Sequence, residues 1–158
     1  WISDGNSIDT TAPTIRDRHM TVHQNLQMVY DVTQVAHAAK LRDYEIIDAR
    51  SAARFRGEAS EPRPGLRSGH IPNSKNLPFN HVLNNDQTMK SVDELNKIFT
   101  NAGIDLKKPA ITTCGSGITA AVLSLALEKI GKSDHALYDG SWTEWGQFPT
   151  LDISTGDG

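Results

Sequence analysis

The chain has 158 residues, 37% of them apolar and 22% charged, with a formal charge of -3 at pH 7, which suits one domain with a proper core and a short extra segment. Its Lys and Arg residues are scattered rather than gathered in a stripe, which argues against a nucleic-acid partner. No apolar run approaches the length of a membrane-spanning helix, and the single cysteine, Cys114, has no internal disulfide partner and favours a reducing compartment.

Residues 1–20 open with "WISDGNSIDTTAPTIRD", rich in Ser, Asp, Thr and Gly, with no initiating Met, basic n-region or apolar h-region. They read as a flexible linker or former interdomain segment of a fragment rather than a signal peptide. Residues 21–150 are expected to form one domain, and 151–158, "LDISTGDG", a disordered tail.

"MTVHQNLQMVY" alternates like a strand, and "DVTQVAHAAKL" follows with Asp31 as N-cap and Val32, Val35 and Ala39 at helical spacing. "YEIIDAR", "SKNLPF", "PAITTC" and "HALYDG" are short apolar runs bounded by turn residues, and read as strands. Between them, "SVDELNKIFTNAG" predicts a helix with a Ser91–Glu94 capping box, an apolar face of Val92, Leu95, Ile98 and Phe99, and a stop at Gly103. After Cys114 a further helix is expected to place Ile118, Ala121, Val122, Leu125 and Ile130 on its core side and to end at Gly131. Strands alternating with helices imply an α/β fold with a central parallel sheet of about five strands and helices on both faces.

Cys114 falls where a strand passes through a tight loop, "GSGIT", into a helix, the usual ligand site of an open α/β sheet. The glycines let backbone N–H groups converge, and the helix N-terminus adds partial positive charge, so a thiolate or sulfur anion is stabilised and the thiol pKa lowered. A buried, inert cysteine is the plainer alternative, because free Cys is among the most buried residue types. Two glycines flanking a Ser weigh toward the cradle, since packing alone needs no such loop. A cysteine phosphatase would place Arg six positions after the Cys to clamp phosphate, and commonly a His just before it; here those positions hold Ala120 and Thr113.

The stretches "DARSAARFRGEASEPRPGLRSGHIPNSKNLPF", "CGSGITA" and "YDGSWTEWG", in that order within residues 25–148, resemble the C-terminal catalytic domain of the mercaptopyruvate-using branch of the rhodanese superfamily. The resemblance implies a sulfurtransferase in which Cys114 carries a persulfide and Ser116 assists proton movement. It also implies substrate binding by Arg54 and Arg63, with Gly115, Gly117, Ile118 and Thr119 in the loop that cradles the sulfur. Two arginines suit a keto acid because guanidinium is a planar, permanently charged, bidentate donor. Read without the resemblance, "RFRGEASEPRPGLR" is a solvated basic loop with Glu58 and Glu61 as surface partners.

The resemblance implies no metal or organic cofactor. The partners would be a small-molecule sulfur donor, a thiol or thioredoxin-like acceptor and a missing N-terminal rhodanese-like domain, in a cytoplasmic or mitochondrial setting. Thiosulfate-using relatives carry basic residues directly after the Cys, whereas Gly115 and Ser116 are neutral. Thiosulfate transfer is one alternative, and a non-catalytic sulfur-carrier module is another. Asp48 and Arg50 are expected to pin a strand end, Arg56 and Arg67 to be structural or superficial, His70 to hold a turn, and Trp142 and Trp145 to pack in the core.

Overall fold

The computed structural model describes residues 1–17, 19–23 and 25–158. Its strands are β1 (Val29–Tyr30), β2 (Glu45–Asp48), β3 (Ser74–Asn76), β4 (Ala110–Thr113) and β5 (His135–Tyr138). The helices are α1 (Val32–Leu41), α2 (Ala52–Phe55), α3 (Val92–Asn101), α4 (Ile118–Lys129) and α5 (Ser141–Trp145). The strands form one parallel sheet in the order β1-β5-β4-β2-β3, which is the α/β architecture expected from the alternation of strand and helix signals.

β2 and β4 are buried along their whole length and lie side by side, Ile46 opposite Ile111 and Ile47 opposite Thr112. Because successive side chains of a strand point to opposite faces, the two isoleucines of β2 serve two cores. Ile46 and Ile111 pack with Val35, Ala38, Tyr138 and Trp142, under α1 and α5. Ile47 and Ala110 pack with Leu95, Phe99, Leu123 and Leu127, under α3 and α4. Each large side chain buried in this way contributes about 1.5 to 3 kcal/mol.

The caps follow the sequence. Asp31 accepts from the Gln34 N–H at 2.9 Å and α1 ends with Arg42 in the left-handed region. Ser91 and Glu94 form the reciprocal box at the start of α3, where Leu95 and Phe99 are buried but Val92 is exposed.

Three expectations need correction. The core side of α4 is Ala120, Leu123, Ala126 and Leu127; of the residues expected there, Val122 and Ile130 pack half-buried at its margin, whereas Ile118, Ala121 and Leu125 face outward. This helix is apolar nearly all round, so apolar spacing did not single out one face. Among the described residues of "MTVHQNLQMVY" the strand is confined to the last two, preceded by a 3-10 turn at Leu26–Met28, and Met20, Val22 and Leu26 are exposed. Residues 151–158 return along the domain rather than trailing away. Ser154 exchanges backbone hydrogen bonds with His70 at 2.8 and 2.9 Å, the Gly156 N–H donates to the Arg56 carbonyl at 3.0 Å, and Ile153 packs against the core. The composition of the tail is polar, but its backbone is paired.

Candidate active site

β4 delivers Cys114 to the carboxyl edge of the sheet, between β2 and β5. The chain turns at once through Gly115, Ser116 and Gly117 into α4, with Gly117 in the left-handed region at φ 84°. A Cβ at Gly117 would lie 3.0 Å from Asp139 Oδ1 and 3.1 Å from the Asp139 carbonyl oxygen, so both conformation and space call for glycine.

The turn is held from below by Ser141, the first residue of α5, which is fully buried. Its hydroxyl accepts from the N–H groups of Cys114 and Gly117, each at 3.1 Å, and donates to the Tyr138 carbonyl at 2.8 Å. Ser141 itself has φ 50°, a strained setting for a non-glycine residue that surrounding bonds must hold. Two residues on, Thr143 donates from its N–H to the Gly115 carbonyl at 2.9 Å and from its hydroxyl at 2.5 Å.

With the turn fixed, the Ser116 N–H donates to Cys114 Sγ at 3.4 Å. Burial pushes the thiol pKa up, but hydrogen bonds from the Thr119 hydroxyl and from the N–H groups of Ser116, Ala120 and Thr119 outweigh it and leave Cys114 below its ordinary value. The thiol is 2% exposed yet lines a cavity of about 310 Å³. It is therefore buried without being walled off, and the surrounding donors favour its thiolate.

The cavity wall brings together Cys114, Gly115, Ser116, Ile118, Thr119, Arg54 and Arg63. Gly117 is not on the wall. Its N–H is spent on Ser141, so it shapes the cradle without facing the sulfur, and Ala120 supplies an N–H that the sequence reading did not include. Arg63 donates to the Thr143 hydroxyl. Arg54 binds Glu61 through two nitrogens, at 2.5 Å from Nη2 and 3.2 Å from Nε.

Glu61 departs from the solvated loop reading. Its side chain is 2% exposed and also accepts from Arg50 Nη1 at 2.8 Å, while Glu58 stays outside and pairs with Arg56. Arg50 in turn contacts Asp48 at 2.6 Å, donates to the Gly69 carbonyl at 2.8 Å and lies over the Trp142 ring at 4.4 Å. Arg67 donates to the carbonyls of Trp145, Gly146, Phe148 and Leu151, closing the C-terminal end of α5. His70 Nδ1 lies 2.8 Å from the Phe55 carbonyl oxygen, with the ring stacked on Phe55. Trp142 and Trp145 are buried.

Sequence reasoning missed Ser141, Thr143 and Glu61. The first two carried no signal beyond their place in "GSWTEW"; Glu61 was visible only as one acid in a charged run.

A family model described as "Rhodanese-like domain" matches residues 31–148. The chain belongs to the rhodanese-like family. This rhodanese-like chain is 42% identical over 153 residues to the 3-mercaptopyruvate sulfurtransferase of Escherichia coli strain K12, covering 97% of the chain and 54% of the relative. It is 45% identical over 128 residues to the mitochondrial thiosulfate/3-mercaptopyruvate sulfurtransferase 1 of Arabidopsis thaliana, covering 81% of the chain and 34% of the relative. The crystal structure of SseA from Escherichia coli, a 3-mercaptopyruvate sulfurtransferase, superposes with a TM-score of 0.75 at 38% identity, over 90% of this chain and 52% of that one. The chain thus spans about half the length, or less, of these relatives. No helix among the described residues is long and apolar enough to cross a membrane.

Proposed function

We propose that this rhodanese-like domain is the catalytic half of a sulfurtransferase that takes sulfur from 3-mercaptopyruvate and passes it to a thiol acceptor. The observation that carries the reading is the Cys114 thiol, lowered in pKa by the N–H groups and hydroxyl of its loop and opening on a cavity with two guanidinium groups. Relatives named for this donor at 42 and 45% identity support it.

In the first half-reaction the Cys114 thiolate attacks the donor sulfur. The C–S bond breaks, its electron pair leaves on the enolate of pyruvate, and a proton completes pyruvate while Cys114 keeps a persulfide. In the second, an acceptor thiolate attacks the outer sulfur and the Cys114 thiolate is restored. Arg54 and Arg63 hold the carboxylate and carbonyl oxygen, the loop N–H groups hold the sulfur anion, and Ser116 assists proton movement.

The acceptor is proposed to be a small thiol or a thioredoxin-like protein, and a reducing cytoplasmic or mitochondrial compartment suits the free thiol. A second, N-terminal rhodanese-like domain fits the half-length match to the relatives. Thiosulfate is the competing donor, because one relative carries both substrates in its name. The deciding experiment is mass spectrometry of the protein mixed with 3-mercaptopyruvate alone. The expected result is a gain of about 32 Da, one sulfur atom, on Cys114, and no gain would overturn the reading.

A further inference from the structure

Glu61 is a buried carboxylate shared by two arginines, and only one of them lacks another acid. Arg50 is already matched by Asp48 at 2.6 Å, so the negative charge of Glu61 is the counter-charge of Arg54, which it grips at 2.5 Å on the cavity wall. Among the described residues, the charged groups of that wall are Arg54, Arg63 and Glu61. They leave one unit of positive charge to face an ionised Cys114 and the donor together, so each further negative charge on the donor goes uncompensated.

We propose that Glu61 is a specificity-determining residue: by offsetting Arg54 from within the wall, it sets the pocket for a monoanionic sulfur donor and against a dianionic one. A keto acid brings one negative charge and a dianion brings two, into a wall whose buried carboxylate cannot turn away into water. Glu61 occupies the Nε and Nη2 edge of Arg54, and Arg54 Nη1 has no hydrogen-bond partner among the described residues. One guanidinium edge is therefore left for one carboxylate. This inference rests on the sulfurtransferase reading and adds the charge class of the donor.

The experiment compares the parent with Glu61→Gln and Glu61→Asp, measuring kcat/KM for 3-mercaptopyruvate and thiosulfate at two salt concentrations. Glu61→Gln should shift the ratio toward thiosulfate by about tenfold, equal to about 1.4 kcal/mol, and less at high salt. Glu61→Asp keeps the charge but falls one methylene short, so it should raise KM for both donors and hold their ratio. An unmoved ratio in folded Glu61→Gln, or an equal shift in Glu61→Asp, would overturn the proposal while leaving sulfur transfer intact. Transfer from neither donor by the parent would overturn the sulfurtransferase reading itself.

A measurement on the parent needs no variant to fold. Protection of Cys114 from iodoacetamide should require less pyruvate than sulfate, and the reverse order would also overturn the proposal.

Discussion

Ser141 Oγ lies 3.1 Å from the amide nitrogen of Cys114 although the two residues are 27 positions apart. That hydroxyl ties the start of α5 to the end of β4, and through the Gly117 N–H it also sets the turn that aims the remaining loop amides at sulfur. Ser141→Ala should therefore leave two buried N–H groups without an acceptor and destabilise the fold by about 1 to 3 kcal/mol. It should also raise the thiol pKa, because the cradle loosens. Thermal unfolding and the pH dependence of iodoacetamide alkylation read the two effects separately; a stability loss with no change in alkylation would confine Ser141 to folding.

The thiol itself gives a pH prediction. Burial opposes ionisation of Cys114, but the loop hydrogen bonds prevail and its pKa is lowered. Alkylation and sulfur transfer should therefore stay at their plateau as pH falls through the ordinary thiol range near about 8.5, and decline only below it. The sign for stability is the same. The unfolded chain binds more protons at this residue between the two pKa values, so stability rises with pH there. The contribution is complete above the unfolded value and lost as pH falls through the folded one. Cys114→Ser should remove both this pH-dependent component and all sulfur transfer, while keeping the fold. Parental turnover in that variant would end the persulfide mechanism.

At the left-handed position of the loop, Gly117→Ala meets two obstacles at once, a φ of 84° and a Cβ placed 3.0 Å from Asp139 Oδ1. A destabilisation of about 1 to 3 kcal/mol is expected for such a strained residue. Activity should fall further than stability alone explains, because the displaced turn carries the sulfur. Chemical denaturation alongside the rate of persulfide formation checks both.

The parts of this site that were legible in sequence are those whose causes are local. "TCGSGIT" announces a strand, a tight turn and a helix start in consecutive residues, and the N-cap Asp31 and the Ser91–Glu94 box each act within one helical turn. What stayed hidden depends on distant partners. Nothing near Ser141 indicates that its hydroxyl serves amides of the turn that follows β4. Glu61 stands in a run of charges, and its burial arises only when Arg50 arrives from the end of β2. The face of α4 was misread because Ile118 and Leu125 share the spacing expected of core residues, and only the sheet decides that Leu123 and Leu127 turn inward.

The two cavity arginines should differ in their response to lysine. Arg54 uses two nitrogens on one carboxylate, a geometry a lysine cannot reproduce. Arg54→Lys should lower kcat/KM for 3-mercaptopyruvate by about 1.5 to 3 kcal/mol. Arg63 is exposed and bonds the Thr143 hydroxyl, so Arg63→Lys should have the smaller effect, expressed mainly in KM. Equal and negligible effects would return both residues to the solvated surface.

Gly115 allows charge and space to be tested apart. A Cβ there would lie 2.9 Å from Arg54 Nη2, inside ordinary contact distance, so the guanidinium rests over this residue because it has no side chain. The obstructed atom is the end of a long side chain, so the fold should tolerate Gly115→Ala with little change in Tm. Glu61 holds that end in place at 2.5 Å, however, and displacement must disturb the grip. Gly115→Ala should raise KM for 3-mercaptopyruvate by roughly five- to tenfold, about 1 to 1.4 kcal/mol, with the alkylation pKa of Cys114 unchanged. Gly115→Arg with Ser116→Lys adds positive charge to the same displacement, and should move relative kcat/KM toward thiosulfate by an amount that shrinks as salt rises. If Gly115→Ala alone shifts the donor ratio as far as the charged pair does, space rather than charge at this turn selects the donor. If neither variant moves it, selection lies with the arginines and Glu61.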